Sequence, residues 1–176
     1  MWKDDLRGFI WDHILVFGSI DHLLTIVKTL STFTDQIICY VNDVPPDERW
    51  SKIARSHNNV VYLQCSFNDI DELSHTAINF AYHAILLTWK LQESSIEDSG
   101  VLPIVRIIEE NFTCPFTIEL VDEVNMKYLK SKPSLEHESL PFTMWPRYTA
   151  SNVFFSSTLD YITGAAFHNK FIVDVM

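Results

Sequence analysis

The chain has 176 residues, 47% of them hydrophobic, which suits one compact domain that buries roughly 70% of its unfolded surface. Its formal charge of −10 and pI near 5.0 argue against a nucleic-acid partner, because such binding is driven by clustered Lys and Arg that release counterions. No apolar run has the length to span a bilayer, Met1-Trp-Lys-Asp-Asp5 carries no signal-peptide pattern, and Cys39, Cys65 and Cys114 read as buried thiols of a reducing compartment.

From the amino terminus, apolar runs recur at residues 13–17, 36–41, 60–64, 84–89 and 116–121, the interval of a strand-plus-helix repeat. Most of these runs are continuous rather than alternating, as strands covered on both faces must be, so the sheet is predicted to be parallel. Between them the period becomes helical. Leu23, Ile26, Val27 and Leu30 share one face, as do Trp50, Ile53, Ala54 and His57, and again Ile70, Leu73, Ala77 and Phe80. Acids mark the helix starts at Asp21, at Asp47 after Pro45-Pro46, and at Asp69, where Glu72 makes a carboxylate version of a capping box. A fourth helix is predicted over about 100–111, with Pro103 in its first turn where a missing N–H costs little, and a short one from Val124 to Leu129. The periodicity fails from Lys130 to Tyr148, where Pro133, Pro141 and Pro146 interrupt a connector with an edge strand expected near Leu140 to Trp145. A last helix is predicted from Ser151, with Phe155, Leu159, Ile162 and Ala166 on one face, and Phe171 to Val175 begins a further element.

The first strand leaves through Gly18-Ser-Ile-Asp21 into a helix. An opening of this kind binds a dinucleotide when it carries G-x-G-x-x-G, whose second glycine admits the pyrophosphate and whose third lets the helix pack on the sheet. Here those two places hold Ile20 and Leu23, and Asp21 sets a carboxylate at the helix end that would receive phosphate. Dinucleotide binding is therefore not expected and no cofactor is assigned. The expected fold class is α/β: a Rossmann-like three-layer lobe with a mainly parallel sheet over 13–129, a connector over 130–150, and a C-terminal amphipathic helix leading into a crossover over 151–176.

An open α/β sheet binds ligands beyond the carboxyl ends of its strands, which makes Gly18, Asp21, Asn42, Asp43 and Ser66 the candidate ligand residues. The plain reading is a helix cap at Asp21 and a solvated turn at Asn42-Asp43; the sharper one is a small polar ligand or a cation of unspecified identity, the surplus of acids favouring the cation by field alone. The histidines at 13, 22, 57, 75, 83, 137 and 168 never pair at the spacing of a zinc hydrolase, so no metal ligands are assigned. Asp69-Ile-Asp-Glu72 is explained by capping and Glu136-His-Glu138 by an exposed connector. Cys65 stands beside nothing basic, there is no G-x-S-x-G elbow, and Gly8, Gly18, Gly100 and Gly164 form no phosphate cradle. No catalytic residue is assigned. Phe154, Phe155, Leu159, Ile162, Ala166 and Phe167 make a broad apolar face that is either ordinary core or an intersubunit surface.

Two segments carry a family resemblance. Gln64-Cys-Ser-Phe-Asn-Asp-Ile-Asp-Glu-Leu73, followed by His83-Ala-Ile-Leu-Leu-Thr88, resembles a strand, helix and strand of the RCK domain, the regulator of potassium conductance. Residues 148–169, from Tyr148-Thr-Ala-Ser-Asn-Val-Phe-Phe through Leu159-Asp to Phe167-His-Asn169, are similar to the helix after the Rossmann-type lobe in the second RCK domain of Slo-type calcium- or sodium-activated channels. Asn125-Met-Lys-Tyr-Leu129 resembles that family's short helix. The family's glycine before Val-Phe is Asn152 here, no aspartate run like the calcium-binding bowl is present, and the sequence stops where the crossover would continue. The resemblance implies a non-catalytic gating domain on the cytoplasmic side of a potassium channel, partnered by other RCK domains and the membrane pore domain and oligomeric through its C-terminal helix. An NAD(P)-dependent oxidoreductase and a ligand-free structural module are the alternatives on the same fold.

Overall fold

Continuous apolar strands cannot leave a sheet face in water, and the computed structural model, which describes residues 10–20, 23–89, 97–129 and 145–158, shows how the faces are covered. In chain order the elements are β1 (Ile14–Phe17), α1 (Leu23–Phe33), β2 (Ile38–Asn42), α2 (Glu48–Ser56), β3 (Val60–Gln64), α3 (Ile70–His75), β4 (His83–Leu86), α4 (Val101–Asn111), β5 (Phe116–Leu120), α5 (Pro146–Thr149) and β6 (Val153–Phe155). Short 3-10 helices lie at Ile78–Phe80, Glu97–Ser99 and Glu123–Leu129. The six strands run in the order β3-β2-β1-β4-β5-β6, and every neighbouring pair is parallel. The strand order reverses between β1 and β4. The expected α/β, Rossmann-like class with a parallel sheet is the observed one.

Alternation along each strand divides the core in two. Ile14, Val16, Ile38, Tyr40, Val60 and Tyr62 point to one side, under Leu23 and Val27 of α1 and Trp50 and Ile53 of α2. Leu15, Phe17, Cys39, Val41, Ala84, Leu86, Ile118 and Leu120 point to the other, under Leu73 of α3 and Val101, Ile104, Val105 and Ile108 of α4. All three cysteines are free and buried. Asp47 caps α2 through the N–H groups of Arg49 and Trp50, and Asp69 caps α3 through those of Asp71 and Glu72. Glu72 does not complete the expected box. Its carboxylate instead accepts the Ser66 N–H at 2.6 Å, closing the loop between β3 and α3.

The structure departs from the sequence reading in two helices. The stripe Ile70, Leu73, Ala77, Phe80 is not one helix: α3 ends at His75, Ala77 takes a left-handed φ of 57°, and Phe80 is 62% exposed. Thr76 terminates it. Its hydroxyl donates to the Leu73 carbonyl at 2.7 Å and its own carbonyl meets His13 Nε2 at 3.0 Å, turning the chain toward β4. The second departure is at Ser151, where the predicted helix is replaced by β6, paired in register with β5 so that Ile118 lies beside Val153 and Leu120 beside Phe155. Three apolar residues in a row satisfy either period, and the open edge of β5 decides for the strand. Residues 156–158 then turn helical, and the rest of the predicted helix lies outside the described residues. The edge strand expected near Leu140 lies, up to residue 144, outside the described residues, while Trp145 precedes α5.

In β6, Phe155 is 2% exposed against the ring of Tyr148, whose centroid lies 5.9 Å away, and Phe154 faces the other side half-buried. Phe155→Ala is expected to cost about 3–5 kcal/mol in urea denaturation and Phe154→Ala under half of that, an inequality that one shared helical face would not produce.

Candidate functional site

The site to examine is the end of the sheet where β1 and β4 stop, because open α/β folds bind ligands where the strand order reverses. Gly18 follows β1 with φ 128°, and a Cβ there would stand 2.7 Å from Leu87 Cβ and 3.0 Å from the Leu87 carbonyl oxygen. Only glycine fits such a contact. The Leu87 N–H donates to the Phe17 carbonyl at 2.9 Å, so the two chains remain joined one residue beyond the strand β4. The loop leaving β1 thus runs tight against the chain leaving β4.

On the β2 side, the buried Tyr40 hydroxyl donates to the Gly18 carbonyl at 2.7 Å. Asn42 Nδ2 donates to Tyr40 Oη at 2.6 Å and to the same Gly18 carbonyl at 3.4 Å, while Asn42 Oδ1 accepts the Val44 N–H at 3.2 Å. The Asn42 side chain is thus committed to Tyr40 and to backbone, with the acid Asp43 beside it. Tyr40, Trp50 and Tyr62 pack ring against ring, with centroids 5.1 to 6.3 Å apart, and the Tyr62 hydroxyl closes on the Val44 carbonyl. Burial, first, and the neighbouring Tyr40, Asp43 and Asp47 push the Tyr62 phenol up, so it stays a donor.

On the β4 side stands a residue the sequence reading missed. Asp98 is fully buried, and its carboxylate accepts from Thr88 Oγ1 at 2.7 Å, the Val121 N–H at 2.8 Å, the Asp122 N–H at 3.2 Å and Asn125 Nδ2 at 2.7 Å. Four donors converge on an acceptor-only group. The exits of β4 and β5 and the helix Glu123–Leu129 are tied to one side chain. Glu119 adds a bond from the Thr88 N–H at 3.2 Å. Over this half, Phe67 and Trp89 lie 5.3 Å apart between centroids, and a Cβ at Gly100 would meet Trp89 Nε1 at 2.1 Å, so the glycine admits the indole. An acid just before an apolar helix was the available signal, but it reads as a cap and its partners lie up to 27 residues away.

Of the candidate ligand residues, Asn42 reaches the Gly18 carbonyl, the Asp43 carbonyl instead accepts from Gln64 Nε2 at 3.3 Å, and the Ser66 N–H is bound to Glu72. Asp21 lies outside the described residues, as do Leu159, Ile162, Ala166 and Phe167 of the candidate interface; Phe155 belongs to the core. Burial, then Glu72 and Asp69, push the Cys65 thiol up to about 12, which removes it as a nucleophile at neutral pH. Among the described residues no group of three or more His, Cys, Asp or Glu is placed to hold a metal ion.

At the opposite end of β1, His13 is fully buried, with Nδ1 unpartnered. Burial lowers its pKa against smaller raising effects from Thr76 and Asp12, and burial lowers that of His83 too. The unfolded chain therefore binds these protons first: stability is full above about pH 6.5 and falls as pH drops through that value toward the folded pKa. The urea midpoint should decline from pH 7 to 5 and decline less in His13→Gln. Asp98→Ala, which strands four donors, should cost about 3 kcal/mol or more by the same measurement.

No family model and no curated protein matches the chain. Solved structures do. The human SLO3 gating ring matches 99% of this chain and 34% of its own with TM-score 0.74 at 16% identity. The GsuK RCK domain matches 72% of this chain and 25% of its own with TM-score 0.55 at 15% identity. GsuK bound to NAD matches 73% and 21%, with TM-score 0.53 at 16% identity, and GsuK bound to ADP matches 73% and 31%, with TM-score 0.55 at 15% identity. The chain thus spans 21–34% of the length of these chains. Its fold is the one found in RCK domains and in the SLO3 gating ring.

Proposed function

We propose that the chain is a non-catalytic regulatory domain of a potassium channel, working on the cytoplasmic side of the membrane in an assembly with other RCK domains and a pore domain. The observation that carries this reading is the likeness to the SLO3 gating ring over 99% of the chain. The site agrees in character: its polar groups hold backbone at Gly18 and Asp98 instead of presenting an activated nucleophile or an acid–base pair. Among the described residues, no helix is long and apolar enough to cross a membrane. In the proposed mechanism a cation at the Gly18, Asn42, Asp43 and Ser66 end of the sheet favours one of two assembled arrangements. The difference in its affinity for the two is the energy available for gating.

A second reading, nucleotide sensing, is favoured by the structures of GsuK bound to NAD and to ADP. Thermal melts of the chain with NAD, ADP, calcium, sodium and magnesium separate the two. A ligand at a hundred times its Kd adds about 2.7 kcal/mol, roughly 5–10 °C for a domain of this size. A shift of that size with one cation and none with NAD or ADP is expected. A shift with NAD or ADP would establish the second reading, and no shift with any of the five would leave a structural module.

A further inference from the structure

His13, at the entry to β1, is the one fully buried histidine among the described residues, and the proposed function makes no use of it. Its Nε2 lies 3.0 Å from the Thr76 carbonyl. A carbonyl only accepts, so Nε2 carries the ring proton and Nδ1 is the bare nitrogen, buried without a hydrogen-bond partner. A neutral ring suits this seat. A second proton would put an N–H on Nδ1 with nothing to receive it and a charge out of reach of water. The titratable groups around it do not offset that cost. Asp12 precedes it and is exposed, α3 ends in the half-buried His75, α4 ends near the exposed Glu109 and Glu110, and the buried Cys114 thiol ahead of β5 is pushed up to about 11 and neutral. His83 lies beside Ile14 in register but turns to the other sheet face, where its Nε2 meets Thr117 Oγ1 at 2.9 Å. Burial opposes a charge on His13 more strongly than the Thr76 carbonyl and Asp12 favour it.

The bond to Thr76 closes a seam under strain. Residues 76–82 link α3 to β4 and are held to the entry of β1 by three contacts: His13 Nε2 on the Thr76 carbonyl, the Asp12 N–H on the Phe80 carbonyl at 2.8 Å and the Tyr82 N–H on the His13 carbonyl at 2.8 Å. Asp12 and Ala77, one on each side of the seam, take left-handed φ values of 59° and 57°. For a residue other than glycine such a conformation costs roughly 1–2 kcal/mol and persists only while its surroundings hold it. Ala77 and Ile78 anchor the segment in the core, but Phe80 and Tyr82 are more than half exposed. We propose that His13 is a proton-operated latch: a proton taken up at Nδ1 releases residues 76–82 from the entry of β1 while the sheet stays folded. The closed seam holds a neutral ring, and the open seam exposes it to water, where imidazole binds a proton near pH 6.5; acid therefore favours the open form. Acidification reshapes the surface that carries Phe80 and Tyr82, whether or not the domain regulates a channel.

The test is amide hydrogen exchange in the full chain, followed residue by residue by NMR at low urea concentrations, at pH 7.0 and 5.5, with the intrinsic pH dependence of exchange divided out. The Asp12 and Tyr82 amides report the seam, and the amides of β2 report the sheet. At the seam, exchange is expected to run through an opening that hardly depends on urea, with protection falling by up to about eightfold between the two pH values, the ratio set by a ring that protonates near pH 6.5 only when open. The β2 amides should follow the full urea slope of global unfolding. In His13→Gln, whose side-chain amide can donate to the Thr76 carbonyl but gains no proton, protection at the seam should not change with pH. Seam amides that share the urea slope of β2 at both pH values would overturn the proposal, as would a seam opening indifferent to pH or an unchanged fall in His13→Gln. If that variant does not fold, the ring decides: a His13 Cε1 proton signal titrating at about pH 6.5 or above would overturn the latch, and a midpoint below it supports it.

Discussion

The contact on which the rest of the lobe depends is that of Gly18 with Leu87, where the chain leaves β1 against the chain leaving β4. Here the strand order reverses, which is where an open α/β sheet places its ligand crevice. In this chain the exits stay bonded through Phe17 and Leu87, and the consequences spread to both sides. Toward β2, the Gly18 carbonyl is turned to Tyr40 and Asn42, and Tyr40 in turn seats Trp50 of α2. Toward β5, Thr88 follows Leu87 directly and delivers its hydroxyl to Asp98 and its N–H to Glu119. One close approach of backbone therefore orders an aromatic cluster on one flank and a buried carboxylate on the other.

What the sequence disclosed follows from which forces are local. The five strands and α1, α2 and α4 were legible because continuous apolar runs and 3.6-residue stripes each allow one burial solution. The N-cap role of Asp47 and Asp69 was legible because a cap acts within three residues. Thr76 was not, since the stripe through Ala77 and Phe80 keeps helical period while the decision to stop is made by a hydroxyl and by His13, 63 positions away. Nor was β6 legible, because Val153, Phe154 and Phe155 are apolar without alternation and only the open edge of β5 makes them a strand. At the site, the contact of Asn42 with the Gly18 carbonyl follows from the ends of β1 and β2 lying side by side. Asp98 offered only the look of a helix cap, because all its partners arrive from other elements.

The magnitudes decide where a regulatory signal can act in such a lobe. Coupling between two sites typically amounts to 1–3 kcal/mol, whereas a folded domain has about 5–15 kcal/mol in all. Releasing Asp98 would strand four buried donors, a loss comparable with the whole of a usual coupling energy. The Tyr40 and Asn42 bonds to Gly18 are backed by three packed rings, so they too are expensive to break. Under the proposed role, ligand occupancy cannot work by unlatching either side of the sheet. That role therefore calls for a lobe that moves as one body, with the small energies of gating exerted where contacts are few and exposed. The acidic turn at Asn42 and Asp43 and the loop held by Ser66 and Glu72 have that character, because their bonds face solvent and none closes a core.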